Sequence, residues 1–225
     1  MSRDLYVALS GAQTAWDNLS GIAQNLANSR TQGYREVRTS FELAGPPGGE
    51  LYATVGDVTY SEANGSLEVD GDPTHLALRG DGFFALEDGT FTRDGSFHLD
   101  GEGRLVTAGG VAVLGEGGAI QLDPTETMTV GPDGVVQGSL SGDLGVVAVV
   151  SLTAPEPLGG NRWGGTPGQR PEGSTIVQGA VEGSNVDAMR GMIEMMEASR
   201  FFEAQQKAMQ VSDEARARLN RIGGS

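Results

Sequence analysis

The sequence predicts an α+β fold in which a helix at each end of the chain flanks a central antiparallel all-β domain. Three of its 36 glycines lie in residues 1–40, three in 186–225, and the other 30 between them. Glycine-poor ends with an apolar residue at every third or fourth position are typical of helices, whereas short alternating runs separated by glycine turns are typical of strands. We therefore expect the following organisation: terminal helices at 1–33 and 186–225, connecting or extended segments at 34–75 and 156–185, and a β-domain at 76–155.

The net charge of −15 is concentrated in the centre of the chain. Residues 1–40 carry four arginines and three acidic residues, and residues 186–225 carry six of each sign. Residues 41–185 carry 21 acidic residues and five arginines. A nucleic-acid partner needs a basic stripe, and Lys207 is the chain's single lysine, so we predict no nucleic-acid binding. The acidic centre indicates a solvated surface. The sequence contains no apolar run of about 18 residues, so we predict no membrane insertion.

The N-terminal segment has the apolar spacing of a helix that packs against another helix. The intervals alternate between four and three residues, which is the a/d pattern of a coiled-coil seam. The residues of this row are Leu5, Leu9, Ala12, Trp16, Leu19, Ala23 and Leu26. Three heptads are too short to form a stable helix alone in water. We expect the helix to end before Gly33 and to gain its order from packing against other helices.

The C-terminal segment predicts a second helix with an unusually broad apolar face. We expect Ser184 or Asn185 to cap it, with Asp187 in its first turn. The main row is Met189, Ile193, Met196, Phe201, Ala208 and Leu219, and a second row holds Met192, Met195, Phe202 and Met209. So broad a face favours burial on more than one side. The two main rows, from Leu5 to Leu26 and from Met189 to Leu219, are our candidate assembly interface.

The centre of the chain predicts a domain of short hairpins. Asp-Gly pairs are the strongest short-range hairpin signal, and they recur at 81–82, 88–89, 94–95, 100–101 and 133–134. Short alternating apolar runs lie between these turns. The run 146–150, with four valines, predicts a strand buried on both faces, and the segment 155–174, rich in proline and glycine, predicts an exposed loop or linker.

No group of residues predicts catalysis. Cysteine is absent, which excludes disulfides, thiolate metal ligands and cysteine nucleophiles. Ser96, His98 and Asp100 would share one face of a strand, but same-face side chains stand about 6–7 Å apart. A catalytic triad needs contacts of about 2.6–3.2 Å. We therefore predict that the protein is not an enzyme, with no catalytic residue and no cofactor.

The sequence also gives little support for a metal site. Asp88, Asp94 and Asp100 each precede a glycine at intervals of six residues, which suggests a calcium-binding β-roll. The glycine-rich nonapeptide of such rolls is absent, and hairpin turns explain the same residues. His75 and His98 lack a histidine four residues away, so zinc is poorly supported. A secreted calcium-binding β-rich protein remains the alternative from a different class, and millimolar calcium would raise its stability.

Three blocks of sequence, in order, resemble the flagellar axial proteins of the rod and hook. The first contains Tyr6-Val7-Ala8-Leu9-Ser10-Gly11-Ala12, Asn25-Leu26-Ala27-Asn28 and Thr31-Gln32-Gly33-Tyr34-Arg35, with Gln24 where the family usually has asparagine. The second contains Asn64-Gly65-Ser66-Leu67, Gly80-Asp81-Gly82-Phe83-Phe84 and Phe91-Thr92-Arg93-Asp94-Gly95. The third contains Gln178-Gly179-Ala180-Val181-Glu182-Gly183-Ser184-Asn185 and Arg200-Phe201-Phe202-Glu203-Ala204. Within this family the length and the opening are most similar to the proximal rod protein, with the distal rod protein next.

This resemblance implies a structural subunit of the bacterial flagellar basal-body rod, which crosses the periplasm and transmits torque from motor to hook. It implies a coiled-coil-like inner layer built from both terminal helices, with the β-domain outside. The implied partners are other rod subunits, both copies of this chain and neighbouring axial proteins, and the flagellar type III export apparatus. Such proteins are exported unfolded without a cleaved signal peptide, and the first residues here show no signal-peptide pattern.

Overall fold

The computed structural model describes residues 3–45, 52–123 and 125–223, and it has the predicted α+β class. Helix α1 spans Arg3–Ala27 and helix α2 spans Ala188–Gly223, and every strand lies between them in sequence. The chain divides into two compact units. The first comprises Met1–Ser29, Glu36–Ser61 and Val186–Ser225, and the second comprises Arg30–Arg35 and Glu62–Asn185.

The first unit contains both helices and a long β-hairpin. Strand β1 (Val37–Ala44) pairs antiparallel with β2 (Tyr52–Tyr60), and a bulge interrupts the register after Thr39. We expected 34–75 to be connecting or extended chain, and the hairpin occupies much of that range. The side chains of β2 are half-buried or exposed, so this strand contributes no fully buried core residue.

The helix ends follow standard capping chemistry, but not at the residues we expected for α2. The cap of α2 is Asp187, whose Oδ1 accepts hydrogen bonds from the backbone N–H groups of Met189 (3.0 Å) and Arg190 (3.1 Å). Asp187 serves better than Ser184 or Asn185 because it directly precedes the first helical residue. Helix α1 ends at Ala27, a few residues before Gly33, which has a φ of 67°.

The second unit contains sixteen short strands among its described residues. They are β3 (Leu67–Val69), β4 (Leu76–Arg79), β5 (Phe83–Ala85), β6 (Phe91–Thr92), β7 (His98–Leu99), β8 (Leu105–Val106), β9 (Leu114–Gly115), β10 (Gly118–Ala119), β11 (Met128–Val130), β12 (Val135–Gly138), β13 (Gly142–Val146), β14 (Val149–Val150), β15 (Leu152–Gly159), β16 (Arg162–Pro167), β17 (Thr175–Gln178) and β18 (Ala180–Glu182). Each strand pair that the structure describes is antiparallel.

These strands form several small sheets around one apolar core. One sheet has the order β14-β5-β6-β16-β15 and another the order β11-β12-β13, while β3 pairs with β18, β4 with β17, β7 with β8, and β9 with β10. At the centre, Phe84 and Phe97 pack edge to face with ring centroids 5.2 Å apart. The strands β17 and β18 from the end of the unit pair with β4 and β3 from its beginning, so the fold closes only when the 175–182 segment is in place.

Residues 155–174 contain a hairpin where we predicted a loop or linker. Strands β15 and β16 pair with two register shifts. Proline cannot donate a ladder hydrogen bond and is confined to edge strands and bulges, and β15, which holds Pro155 and Pro157, is the edge of its sheet. The proline and glycine content therefore marks an irregular edge hairpin.

Candidate assembly interface

In the first unit, α1 and α2 pack against each other through small side chains. Ala12 and Ala15 of α1 are buried, as are Gly191 and Ala198 of α2. At Gly191 an added Cβ would lie 3.9 Å from Leu26 Cδ1, so the Leu26 side chain packs over this glycine. The helix pair is therefore held by contacts among small side chains and Leu26.

Aromatic side chains extend this helix contact. The rings of Trp16 and Phe202 lie 5.7 Å apart between centroids and are tilted by 50°. Such a tilted pair adds to the free energy of burial because the ring edges and faces are electrostatically complementary. We expected the terminal helices to find their packing partners only in a polymer, but the structure provides one such partner within the chain.

Polar contacts anchor the hairpin to the helices. The buried Asn25 amide on α1 donates from Nδ2 to the Val37 carbonyl (2.8 Å) and accepts at Oδ1 from the Val37 N–H (2.9 Å). The Glu36 carboxylate receives Arg38 at 2.8 Å and Arg190 of α2 at 2.7 Å. Because the Glu36 side chain is only 12% exposed, this ion pair joins the start of the hairpin to α2 in a partly desolvated setting.

The face of α2 that points away from α1 carries the first three residues of the predicted main row, which we call the outward row. Met189, Ile193 and Met196 are spaced by four and three residues, and their side chains are between 52% and 74% exposed. At about 100° per residue, this row lies nearly opposite Gly191 and Ala198. On α1, Leu9 is 54% exposed, and Trp16 is 52% exposed although its ring also packs against Phe202. Each helix therefore leaves apolar side-chain surface open after the two helices have packed together.

The predicted interface residues thus fall into two groups. Ala12 is buried within the unit, and Leu19, Ala23 and Leu26 are half-buried there. Exposed residues form the second group: Leu9, Trp16, Met189, Ile193, Met196, Phe201 and Ala208. The side chains of Leu5 and Leu219 lie outside the described part of the structure.

In the second unit, a buried charge network joins distant parts of the sequence. The Arg93 and Glu182 side chains are 0% and 1% exposed, and Arg93 Nε donates to Glu182 Oε2 at 2.8 Å. The remaining Arg93 nitrogens donate to the Gly82 carbonyl (2.6 Å), the Gly80 carbonyl (2.9 Å) and Asn64 Oδ1 (2.9 Å). Glu182 Oε1 accepts from the Gly65 N–H at 2.9 Å. We call this network the arginine clasp.

A second buried arginine completes the arginine clasp. Arg35 Nη2 lies 3.6 Å from Glu182 Oε1, and Arg35 Nη1 donates to the Glu62 and Ala63 carbonyls at 2.5 and 2.9 Å. Burial, followed by the neighbouring Arg93 cation, lowers the pKa of Arg35. Two cations thus share one carboxylate, and the backbone carbonyls and Asn64 supply the remaining negative partial charge.

The arginine clasp explains why several motif residues have to be what they are. Gly33 donates its N–H to the Glu182 carbonyl at 2.7 Å, and an added Cβ there would meet the Arg93 backbone at 2.5 Å. At Gly65 an added Cβ would lie 1.9 Å from the Gly183 carbonyl oxygen. In the sequence these two glycines stand out only as parts of motifs. Their long-range contacts leave no periodic signal in the sequence.

The side chains that suggested catalysis are engaged in separate turns. Ser96 Oγ donates to Asp94 Oδ1 at 2.6 Å, whereas Asp100 accepts from the Arg104 side chain at 2.9 Å. His98 is exposed on β7. In the described part of the structure, no hydrogen bond joins any two of Ser96, His98 and Asp100.

Aspartate turns account for the six-residue repeat. Asp88 Oδ1 accepts from the Thr90 N–H and hydroxyl (3.0 and 2.6 Å), and Asp94 Oδ1 binds Ser96 in the same way. Asp100 Oδ1 accepts from the N–H groups of Glu102 and Arg104. Each carboxylate thus closes its own turn. Within residues 3–45, 52–123 and 125–223, no three histidine, aspartate or glutamate side chains are grouped as metal ligands.

These turns predict how stability depends on acid. The pKa of Asp100 lies below its ordinary value of 3.8, mainly because its carboxylate accepts a hydrogen bond from the Arg104 backbone. The unfolded chain therefore takes up a proton before the folded one, so the stabilisation is complete above about pH 5 and is lost as the pH falls through the folded pKa. Urea unfolding at pH 6, 4 and 3 should show that Asp100→Asn loses less stability on acidification than the original chain. An equal loss in both would contradict this role of the carboxylate.

None of the helices in the described ranges is long and apolar enough to cross a membrane.

Two families of known proteins match this chain, one in the first part of the second unit and one from β17 through most of α2. Residues 77–138 match the family described as "Flagellar hook protein FlgE/F/G D1 domain", and residues 177–222 match "Flagellar basal body rod FlgEFG protein C-terminal". The chain is 36% identical to the flagellar basal-body rod protein FlgF of Mesorhizobium japonicum, with 90% of each chain covered. The chain belongs to the flagellar basal-body rod protein family. It is also 33% identical to FlgF of Caulobacter vibrioides over 99% of both chains, and 31% identical to the rod protein FlgG of Bacillus subtilis over 95% of this chain and 96% of that one.

These matches support a structural protein of the flagellar basal body, with FlgF before FlgG. Both partners of the buried ion pair lie in the matched ranges, Arg93 in the first and Glu182 in the second. The outward row of α2 also lies in the second range. The matched ranges thus contain the Arg93–Glu182 ion pair and the outward row of α2, whereas Arg35, Asn64 and Gly65 of the arginine clasp lie outside them.

Proposed function

We propose that this rod protein assembles with copies of itself and with neighbouring axial proteins through the outward row of α2 and the open apolar surface of α1. The observation that carries the proposal is the open row of Met189, Ile193 and Met196, which remains exposed after α1 and α2 have packed together. Fully burying an isoleucine or methionine side chain contributes about 1.5–3 kcal/mol, so covering this row would supply several kcal/mol per subunit.

Two contact faces on each helix favour an array rather than an isolated pair. One face of each helix packs inside the chain, through Ala12 and Ala15 on α1 and Ala198 on α2. The other face is free to pack against helices of adjacent subunits. Repetition of such a contact would give a coiled-coil-like inner layer, as the heptad spacing predicts.

The finer role that we propose is that of the proximal rod, where the subunit transmits torque from motor to hook across the periplasm. The 36% and 33% identities to two FlgF proteins support this subtype over the distal rod. We also propose delivery by the flagellar export apparatus without a cleaved signal peptide, and a purely structural role without catalysis or nucleic-acid binding.

Complementation tests the subtype. The full chain is expressed in two motility-deficient strains of its own species, one lacking the proximal and one lacking the distal rod protein, and swimming is measured in soft agar. Swimming should return only in the strain that lacks the proximal protein. Recovery only in the other strain would assign the chain to the distal rod instead.

A further inference from the structure

The first unit contains an open cleft with a mixed apolar and acidic lining. It lies between α1, the start of β1 and the first half of α2, and has a volume of about 600 Å³. Its apolar lining includes Ile22, Ala198 and Phe201, and Phe201 as a residue is 55% exposed. A space of this size would hold several small side chains of a partner helix.

The charges of the cleft leave one carboxylate without a cation. Arg38 and Arg190 both pair with Glu36, and Arg190 also reaches Glu194 at 3.4 Å. Glu197, one helical turn before Phe201, has no cation within ion-pair distance in the described part of the chain. The cleft is therefore suited to a cation with an aliphatic stem, which could lie against the aromatic ring and pair with Glu197.

The second half of α2 carries the complementary chemistry. Lys207 is exposed, and no carboxylate lies within ion-pair distance of it in the described residues. The neighbouring Ala204, Ala208 and Val211 are also exposed, which would let another helix approach its backbone closely. Residues 206–223 hold four basic and two acidic residues, so this half is net positive.

Lys207 cannot reach Glu197 of its own chain. Both residues lie on the single helix α2, and ten residues of helix span about 15 Å along the axis. An ion pair needs its charged atoms within about 4 Å. Any lysine that pairs with Glu197 through this surface must therefore come from another molecule.

We propose that the cleft is the seat for the second half of α2 of another copy of this chain, with Lys207 of that copy pairing with Glu197. The inference rests on the proposed assembly function and adds the direction in which one subunit contacts the next. The two surfaces differ and lie at different levels of the same helix, so the contact is heterologous. A heterologous contact that does not close on itself produces an extended polymer, which a rod requires.

Cysteine cross-linking tests the contact directly, because the full chain contains no cysteine. Purified Glu197→Cys and Lys207→Cys chains are mixed and oxidised mildly. The mixture should give at least about ten times more disulfide dimer than either variant alone. The double variant Glu197→Cys plus Lys207→Cys should give a ladder of trimers and longer species. Dimers that do not exceed those of the single variants, or a double variant that stops at closed dimers, would overturn the proposal.

Charge exchange separates this inference from the proposed function. Glu197→Lys and Lys207→Glu should each raise the concentration needed for polymerisation about tenfold, equivalent to about 1.4 kcal/mol, and the double exchange should restore it. Glu172→Lys, which changes an exposed residue of the second unit, is the matched control. If neither single exchange has an effect while polymerisation still depends on Ile193, the outward row assembles the chain and the seat is wrong. If Ile193 has no influence, the proposed function itself fails.

Discussion

Replacing Glu182 by alanine is expected to lower the free energy of unfolding of the chain by about 3–5 kcal/mol. The substitution removes the carboxylate that serves both Arg93 and Arg35 in the arginine clasp. Arg93 is fully buried, so its charge would remain out of water with only neutral acceptors. The lost packing around the shortened side chain adds to this cost. Urea unfolding followed by the fluorescence of Trp163, which is buried in the second unit, measures the effect.

Two further variants separate charge from volume in the arginine clasp. Glu182→Gln keeps the shape but removes the charge, so we expect an intermediate loss. Glu172→Ala removes an exposed carboxylate from the same unit and should change stability by less than about 0.5 kcal/mol. A loss below about 1 kcal/mol for Glu182→Ala would show that the network is not the main tie between the segments that it joins.

Replacing Ile193 by aspartate is expected to abolish assembly while leaving the free chain folded. Ile193 is 52% exposed in the outward row, so a charged side chain there remains solvated in the free chain. In an assembled layer the same carboxylate would be buried without a partner, which costs several kcal/mol at every subunit. Sedimentation of the purified chain and swimming of a complemented strain both measure the loss.

Matched variants show whether the effect belongs to the row. Leu140→Asp makes the same kind of change at an apolar residue of the second unit that is 80% exposed, and it should leave assembly unchanged. Trp16→Ala removes an apolar side chain without burying a charge, so it should weaken assembly less than Ile193→Asp, even though it also removes the ring contact with Phe202 inside the chain. Leu26→Asp is a poorer test, because Leu26 is half-buried against Gly191 and its loss would disturb the helix pair itself. Rods and swimming that survive Ile193→Asp would contradict the proposed interface.

The helices could be predicted because their signal is local and periodic. The three- and four-residue spacing located α1 and α2 within a few residues of their ends. The same spacing could not say which row packs inside the chain, because a broad apolar stripe fits several partners. Only the structure separates the buried Ala198 from the exposed Ile193.

Turn chemistry was predictive only where the flanking strands are neighbours. The Asp-Gly pairs at 88–89, 100–101 and 133–134 lie between strands that pair with each other. Those at 81–82 and 94–95 lie between strands that do not pair with each other, β4 with β5 and β6 with β7. An Asp-Gly pair specifies a tight turn, whereas the pairing of the strands depends on the whole core.

The arginine clasp could not be foreseen from spacing. Arg35, Arg93 and Glu182 are separated by dozens of residues, and an isolated charged residue in a sequence ordinarily indicates an exposed position. Their burial is a property of the closed fold, in which β17 and β18 pair with β4 and β3. The hairpin of β1 and β2 was not predicted for a simpler reason, since no Asp-Gly pair lies between its two strands and residues 34–75 were expected to be connecting or extended chain.

Thiol labelling at position 193 tests the central claim most directly. An Ile193→Cys variant introduces the only thiol in the chain, and its rate of reaction with a maleimide can be compared in the free subunit and in isolated rods. A Glu172→Cys variant, whose thiol replaces an exposed side chain of the second unit, serves as the reference in both states. We predict rapid labelling at 193 in the free subunit and at least about tenfold slower labelling in rods, with little change at 172. Equal rates at 193 in the two states would show that the outward row is not covered on assembly.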